Sequence, residues 1–195
     1  MAKPTTYRIA ILGWGSLIWD VRPDFDTQHE EWNEDGPELP LEFSRVSETR
    51  GGALTLVIDP KNGRGCTVQY TLSKRRSPDD AIADLRDREG TIMNRIGIWF
   101  ADSSRTSQPY VPETISAWAT KEKLDVVVWT GLESNFKEKS KVKEDFSTGA
   151  AIRHLQALTP EGKAMAATYI WRAPALVKTP LRQALEAEPW FKPPQ

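Results

Sequence analysis

The first two-thirds of the chain carries short apolar runs of strand length, several of them bounded by turn-forming residues. Residues 7–12 form such a run and end at a glycine, which predicts a buried strand. Residues 53–58 predict a second strand. The turn residues 59–63 and the alternating stretch 66–72 that follow predict its hairpin partner. Further strands are expected around residues 41–46, 115–118 and 126–130.

Helix signals are concentrated in the last third, but the strongest one lies earlier. Ser77-Pro78-Asp79-Asp80 combines a capping residue, a proline suited to the first helical position and two acids at the positive helix end. This helix is predicted to run to about Arg88 or Glu89 and to stop near Gly90. Later helices are expected from Ser147 or Thr148, over residues 161–172, and from Thr179 through Leu185.

Strands followed by helices, without regular alternation, indicate an α+β fold. We expect one domain over residues 1–195, with a mostly antiparallel, barrel-like sheet, flanking helices and a helical C-terminal third. The acidic stretch 27–40 contains Gly36, Pro37 and Pro40, and it is predicted to be an exposed excursion. The tail from residue 189 holds three prolines and is expected to wrap or fray.

Composition narrows the function classes. The net charge of −1 creates no broad positive field for nucleic acid or an anionic membrane. Cys66 is the single cysteine, which rules out an internal disulfide and a thiol-based zinc site. His29 and His154 stand apart and are expected to have surface or packing roles, so no metal site is predicted. Because no segment has signal-peptide or membrane-spanning character, a cytoplasmic location is expected.

The turn Gly13-Trp14-Gly15-Ser16 directly follows the predicted first strand. Glycine tolerates positive φ and lets a ligand approach the backbone, and successive N–H groups can bind a carboxylate or oxyanion. The dinucleotide fingerprint needs a third glycine, but Leu17 and Ile18 follow with no helix signal. The nucleophile elbow needs a glycine two residues before and two residues after the serine, but Trp14 and Ile18 occupy these positions. A ligand-binding turn and a purely structural turn both remain.

Glu89 is the candidate acid/base residue. At 100° per residue it shares one helix face with Ile82 and Leu85. Burying a carboxylate among apolar residues is costly and raises its pKa, which suits general acid/base catalysis near neutral pH. The alternative is structural, because a residue at the helix end can reach solvent or pair with Arg86 or Arg95.

Both features resemble a known family. Residues 9–20, with the turn and the Leu-Ile-Trp-Asp that follows, resemble the opening of the γ-glutamylcyclotransferase-like superfamily. The ChaC branch is the most similar, since its turn reads Gly-Tyr-Gly-Ser-Leu followed by an aromatic residue. Residues 85–90 resemble that family's Leu-Asp-x-Arg-Glu segment, and residues 49–52 its middle section. Trp14 replaces the usual tyrosine of the turn, and Trp129 stands where a strand tyrosine is expected.

The resemblance implies a divergent enzyme that cyclises a γ-glutamyl amide or peptide to 5-oxoproline and releases an amine. It implies Glu89 as the general acid/base, with no metal and no organic cofactor. The substrate-binding residues it implies are Gly13, Trp14, Gly15, Ser16 and Leu17. A small γ-glutamyl compound is the expected partner, without nucleic acid or membrane. Trp14 and the altered late strand also favour an alternative, a non-catalytic ligand-binding or regulatory module on the same fold.

Overall fold

The computed structural model describes residues 6–102 and 111–193, and its secondary structure is α+β as predicted. The strands are β1 (Ile9–Gly13), β2 (Glu38–Ser47), β3 (Ala53–Ile58), β4 (Arg64–Thr67), β5 (Gln69–Leu72), β6 (Ile96–Phe100) and β7 (Val126–Thr130). The helices are α1 (Ser16–Trp19), α2 (Pro23–Asp26), α3 (Pro78–Glu89), α4 (Glu113–Lys121), α5 (Phe136–Lys139), α6 (Thr148–Gln156), α7 (Pro160–Arg172) and α8 (Pro180–Glu186).

The chain divides into two compact units. The first comprises Met1–Gly13, Asp20–Leu39 and Thr67–Leu132, and the second comprises Trp14–Trp19, Pro40–Cys66 and Glu133–Gln195. The boundary between Gly13 and Trp14 falls inside the glycine turn. The expectation of a single domain stays a prediction.

The first unit is built on a four-stranded sheet in the order β5-β1-β7-β6. Strand β1 is antiparallel to β5 and parallel to β7, and β6 is antiparallel to β7. All five residues of β1 are buried, which explains its continuous apolar sequence. Helices α3 and α4 pack on β7.

The second unit contains a three-stranded sheet in the order β3-β2-β4, with β2 and β3 antiparallel. The β2–β3 register shifts between Glu42 and Arg45, which marks a bulge in this pair. Helix α7 packs on β3, and α6 packs against α7 and α8. The predicted helical last third is therefore confirmed and lies in this unit.

The barrel-like sheet was a wrong prediction, because the described strands form two open and mostly antiparallel sheets. The hairpin between residues 53–58 and 66–72 was also wrong. Strands β3 and β4 both flank β2, and the stretch 66–72 splits between the two sheets. The split falls at Val68, whose N–H donates to the Pro37 carbonyl while its own carbonyl accepts from Gly36 N–H. Main-chain pairing with the acidic excursion therefore interrupts the predicted strand.

Two further assignments needed the tertiary structure. Residues 115–118 were predicted as a strand but lie in α4, where Ile115 and Ala119 are both fully buried. Their spacing of four residues is that of a single helix face. Strand β6 was not predicted, and it pairs with β7 through Ile98 opposite Val128.

Helix ends follow the sequence signals closely. Helix α3 ends at Glu89 as predicted, and Gly90 takes the left-handed conformation of a C-cap with φ +57°. Ser77 occupies its N-cap without a side-chain capping bond. Thr159 and Thr179 cap α7 and α8, and each side-chain oxygen accepts a hydrogen bond from the backbone N–H of the third residue of its helix.

The acidic stretch 27–40 is exposed over much of its length but fixed at two points. Isolated bridges join His29 to Ser73 and Asn33 to Tyr70, which align the stretch beside β5. The tail wraps rather than frays as far as Pro193, because Phe191 is 2% exposed and lies beside Trp171. No helix within residues 6–102 and 111–193 has both the length and the apolar character needed to cross a membrane.

Arg182 provides a first testable prediction about the second unit. Its guanidinium donates to four main-chain carbonyls at the end of α7 and beyond it, those of Trp171, Ala173, Pro174 and Val177. Arg182→Met keeps an apolar stem but leaves these acceptors without their donor. We expect a loss of about 2–4 kcal/mol in the free energy of unfolding by urea.

The matched control is Arg153→Met. Arg153 pairs with Glu144, and both side chains are about half exposed, so this variant should change stability by at most about 1 kcal/mol. Equal effects of the two substitutions would contradict the structural role of Arg182.

Candidate functional site

The glycine turn is buried and leads directly into a one-turn helix. Residues 13–17 are all buried, with Trp14 at 6%, Ser16 at 9% and Leu17 at 7% exposure. The Ile18 N–H donates to the Gly15 carbonyl at 3.0 Å as α1 begins. A short helix therefore follows the turn, although its sequence carried no helix signal.

Residue 15 is a glycine because another side chain approaches it closely, and not because its backbone conformation requires one. Among the described glycines, positive φ occurs at Gly51, Gly52 and Gly90, and neither glycine of the turn has it. A Cβ added to Gly15 would lie 2.6 Å from the hydroxyl oxygen of Tyr169 and 3.3 Å from its Cζ. The residue needs to be glycine because the Tyr169 hydroxyl occupies the space of a side chain.

Arg50 connects to the turn from a different part of the second unit. Its Nη2 donates to Ser16 Oγ at 3.2 Å, and its guanidinium carbon lies 5.2 Å from the centroid of the Tyr169 ring. Arg50 ends the short 3₁₀ turn Glu48–Arg50, and the left-handed Gly51 and Gly52 then reverse the chain into β3. A guanidinium stacked on an aromatic ring keeps its N–H groups available at the ring edge.

Tyr169 is held in place by aromatic packing. It lies on α7 with 6% exposure, and it makes edge contacts with Trp19 at 6.0 Å and Phe43 at 6.3 Å between ring centroids. The guanidinium of Arg172 lies over the Trp19 ring, 5.2 Å from its centroid. The Trp19 Nε1–H is buried and has no hydrogen-bond partner among residues 6–102 and 111–193.

These side chains form one polar cluster around Gly15, which we call the turn cluster: Ser16, Trp19, Arg50 and Tyr169. Its members supply hydroxyl, indole and guanidinium N–H or O–H donors and one fixed positive charge. These donors fit an anionic ligand group, and a carboxylate can accept hydrogen bonds from several of them at once.

Trp14 anchors the turn to the sheet. Its indole N–H donates to the Leu56 carbonyl of β3 at 3.4 Å, a long hydrogen bond, and the ring is almost fully buried. The side chains of Trp14 and Leu17 are therefore part of the packing of the second unit. Only the main chain of these two residues would contribute to ligand binding.

Glu89 lies in the first unit, as the last residue of α3. Its side chain is 19% exposed, and Ile82 and Leu85 on the same helix are buried, so the predicted position on an apolar face is confirmed. An ion pair joins Arg88 Nη1 to Glu89 Oε1 at 3.8 Å. Glu89 and residues 14–17 belong to different units, and their pairing stays a prediction.

Arg88 fixes the end of α3. Its side chain is only 4% exposed, and its Nη2 donates to the Asp20 carbonyl at 2.8 Å and lies 3.5 Å from the Asp20 carboxylate. Because Asp20 also belongs to the first unit, this contact ties the residue before Glu89 to the chain just after α1. Arg88 therefore restrains the backbone that carries Glu89.

Glu42 is a second buried carboxyl, which the sequence did not single out. It is fully buried, and its oxygens accept the N–H groups of Phe43 at 2.7 Å and Leu181 at 3.2 Å. Burial raises the pKa of Glu42, while hydrogen bonds from Phe43, Thr179 and Leu181 partly oppose this effect. Because main-chain donors occupy both oxygens, we assign Glu42 a structural role in joining α8 to β2.

The raised pKa of Glu42 predicts a pH-dependent stability. The folded state favours the protonated carboxyl of Glu42. The stability that Glu42 contributes is therefore complete below the unfolded pKa near 4.5, and it is lost as pH rises through the folded pKa. We expect wild type to lose stability relative to Glu42→Gln between pH 4.5 and 7, measured by urea unfolding. Glu186→Gln, at an exposed position on α8, should follow wild type at both pH values. A difference between wild type and Glu42→Gln that does not change with pH would refute the assignment.

Both histidines are buried, and neither lies on the surface. His29 is 7% exposed and lies against the rings of Phe25 and Trp32, and His154 is fully buried. Within the described parts of the chain, no group of three histidine, cysteine or acidic side chains is arranged to hold a metal ion.

Sequence reasoning located the turn but missed two members of the turn cluster. Arg50 enters the sequence prediction only through the resemblance of residues 49–52, and Tyr169 is not predicted. Neither has a local signal, because each meets the turn only through tertiary packing. No family model matches the chain, and no curated protein matches it in a sequence comparison.

Proposed function

We propose that this protein is a γ-glutamylcyclotransferase-like enzyme that cyclises a γ-glutamyl amide or peptide to 5-oxoproline and releases the amine. The observation that carries the proposal is the turn cluster, in which Arg50 and Ser16 hydrogen-bond beside a Gly15 covered by the Tyr169 hydroxyl. This donor set suits the α-carboxylate of a γ-glutamyl group. The resemblance of residues 9–20 and 85–90 to the family supplies the reaction.

The proposed reaction is an intramolecular aminolysis. The α-amine nitrogen attacks the γ-carbonyl carbon, a ring C–N bond forms, and the bond from that carbon to the departing nitrogen breaks. The α-amine loses a proton and the departing amine gains one, so no net proton is consumed. A single carboxyl can accept the first proton and donate the second, and this role is assigned to Glu89.

The remaining catalytic contributions come from binding. Because nucleophile and carbonyl belong to one molecule, holding the γ-glutamyl group in a folded conformation supplies part of the acceleration. In the proposal Arg50 holds the α-carboxylate, and main-chain N–H groups of the turn stabilise the oxyanion that develops on the γ-carbonyl oxygen. No step needs a metal or an organic cofactor.

The test is a panel of γ-glutamyl compounds, including γ-glutamyl amino acids, γ-glutamyl amines and a γ-glutamyl tripeptide. Each is incubated with the full chain, and 5-oxoproline and free amine are quantified by mass spectrometry. We expect both products in equal amounts from at least one compound. If no compound yields 5-oxoproline above an enzyme-free control, the proposed reaction is wrong.

The second candidate is a ligand-binding or regulatory module without turnover, which the buried, fully engaged Trp14 favours as a departure from the family's turn. The same panel distinguishes the two functions when thermal shift is measured in parallel. A compound that raises the melting temperature through Arg50 but is recovered intact would favour the module.

A further inference from the structure

His154 is fully buried on α6, yet both of its ring nitrogens are hydrogen-bonded to main chain. The Lys141 N–H donates to Nδ1 at 2.9 Å, and Nε2 lies 2.8 Å from the Gly52 carbonyl oxygen. Because Nδ1 accepts a hydrogen bond, the ring proton must reside on Nε2, which donates to Gly52. Burial lowers the pKa of His154, so this neutral tautomer is the form present at neutral pH.

The carbonyl that His154 holds belongs to an unusual segment. Gly51 and Gly52 both have positive φ, at +61° and +87°, and the Gly52 N–H donates to the Ser47 carbonyl at 2.9 Å. A Cβ at Gly52 would lie 2.8 Å from Leu158 Cδ2, so α6 and the residues after it pack closely on this turn. The conformation that reverses the chain is therefore fixed from both sides of Gly52.

This segment presents Arg50 to the turn. Arg50 lies two residues before Gly52, and its guanidinium reaches Ser16 Oγ and the Tyr169 ring. A long arginine side chain keeps its head group in register only if its backbone is fixed. Two hydrogen bonds hold the main chain of Gly52: its N–H donates to the Ser47 carbonyl, and its carbonyl accepts from the His154 side chain.

We infer that His154 is a positioning residue for Arg50, acting through the Gly52 carbonyl to keep the guanidinium in place for the substrate carboxylate. The inference rests on the proposed function for the identity of the ligand. Its structural part, that His154 holds the Arg50 segment, depends on neither substrate nor turnover.

Two substitutions of similar polarity separate this role from general packing. His154→Gln can place its amide N–H near the position of Nε2 and keep the bond to Gly52. His154→Asn is shorter, so it can accept from Lys141 near the position of Nδ1 but does not reach Gly52. Arg50→Ala gives the full loss of the guanidinium, and Gln156→Asn, exposed on the same helix, is the control.

The first measurement is amide hydrogen–deuterium exchange of the full chain, which needs no substrate. We expect His154→Asn to accelerate exchange over residues 47–52 about tenfold, with His154→Gln and Gln156→Asn close to wild type. Equal exchange in the Asn and Gln variants would overturn the inference, because the bond to Gly52 would then not hold the segment.

The second measurement is the steady-state rate of 5-oxoproline release. We expect His154→Asn to raise KM about tenfold, the scale of one net hydrogen bond, with little change in kcat and with KM recovered in His154→Gln. Faster exchange with an unchanged KM would also overturn the inference. If wild type releases no 5-oxoproline, the proposed function fails. The role of His154 is then decided by the exchange result and by the shift in melting temperature that 5-oxoproline causes in the His154 variants, compared with the shift in Arg50→Ala.

Discussion

Glu89→Gln is expected to lower the rate of 5-oxoproline release by about 10²–10⁴-fold, the typical contribution of a positioned general acid/base. The amide has nearly the shape of the carboxyl but cannot accept the proton of the α-amine at neutral pH. The loss should appear in kcat more than in KM, because proton transfer occurs in the transition state and not in binding. The measurement is initial-rate kinetics on the best compound of the γ-glutamyl panel.

The control for this substitution lies two residues away. Asp87 is on the same helix with a side chain 67% exposed, and it pairs with Arg86. Asp87→Asn removes the same charge from α3, so it reproduces any effect of net charge or helix stability. We expect Asp87→Asn to retain the wild-type rate, and a Glu89→Gln variant with comparable activity would remove Glu89 from the mechanism.

Gly15→Ala is expected to disrupt the turn cluster. The new methyl group would lie 2.6 Å from the Tyr169 hydroxyl oxygen, and the ring is confined by Trp19, Phe43 and Arg50. Overpacking of this kind costs about 1–3 kcal/mol of stability. We also expect turnover to fall about 10²-fold, because the groups that contact the substrate shift together. Urea unfolding and steady-state kinetics measure the two effects.

A double substitution separates the clash from the chemistry. Tyr169→Phe removes the oxygen that the methyl group meets, so Gly15→Ala with Tyr169→Phe should recover most of the lost stability. It should not recover turnover, because the hydroxyl donor is absent. Gly149→Ala is the control for adding a methyl group, since only Arg153 Nη1 lies within 4 Å of the added Cβ, at 3.6 Å. No rescue of stability in the double variant would show that the hydroxyl is not the obstacle at Gly15.

Sequence patterns predicted the elements whose signals are local. Helix α3 was bounded at both ends by residues whose preferences are strong, Pro78 at the start and Gly90 at the stop. Helices α7 and α8 begin at prolines that follow capping threonines. Strand β1 was evident because all of its residues are buried, which gives a continuous apolar run.

Patterns failed where distant pairing decides the structure. The run from Cys66 to Leu72 alternates as one strand would, but Val68 pairs with the excursion at Gly36 and Pro37. Residues 115–118 are apolar and aromatic enough for a strand, yet Ile115 and Ala119 form one buried helix face. Closure of a sheet into a barrel depends on strand order, which local sequence does not encode.

The residues of the candidate site divide in the same way: those with a local sequence signature were predicted, and those that meet the turn through tertiary packing were not. The turn and Glu89 each carry a local signature, and their positions at the end of β1 and the end of α3 follow from it. Arg50 and Tyr169 carry none, because a stacked arginine and a buried tyrosine occur in many cores. Only the approach of Tyr169 to Gly15 and the bond from Arg50 to Ser16 distinguish them.

Cyclisation is tested most directly by running the reaction in water enriched in oxygen-18. In an intramolecular aminolysis water does not attack the acyl carbon, so we expect 5-oxoproline without oxygen-18, in an amount equal to the released amine. The enzyme-free reaction and Glu89→Gln, run in parallel, should show only background. Glutamate carrying oxygen-18, or the absence of both products across the γ-glutamyl panel, would contradict the proposed cyclisation.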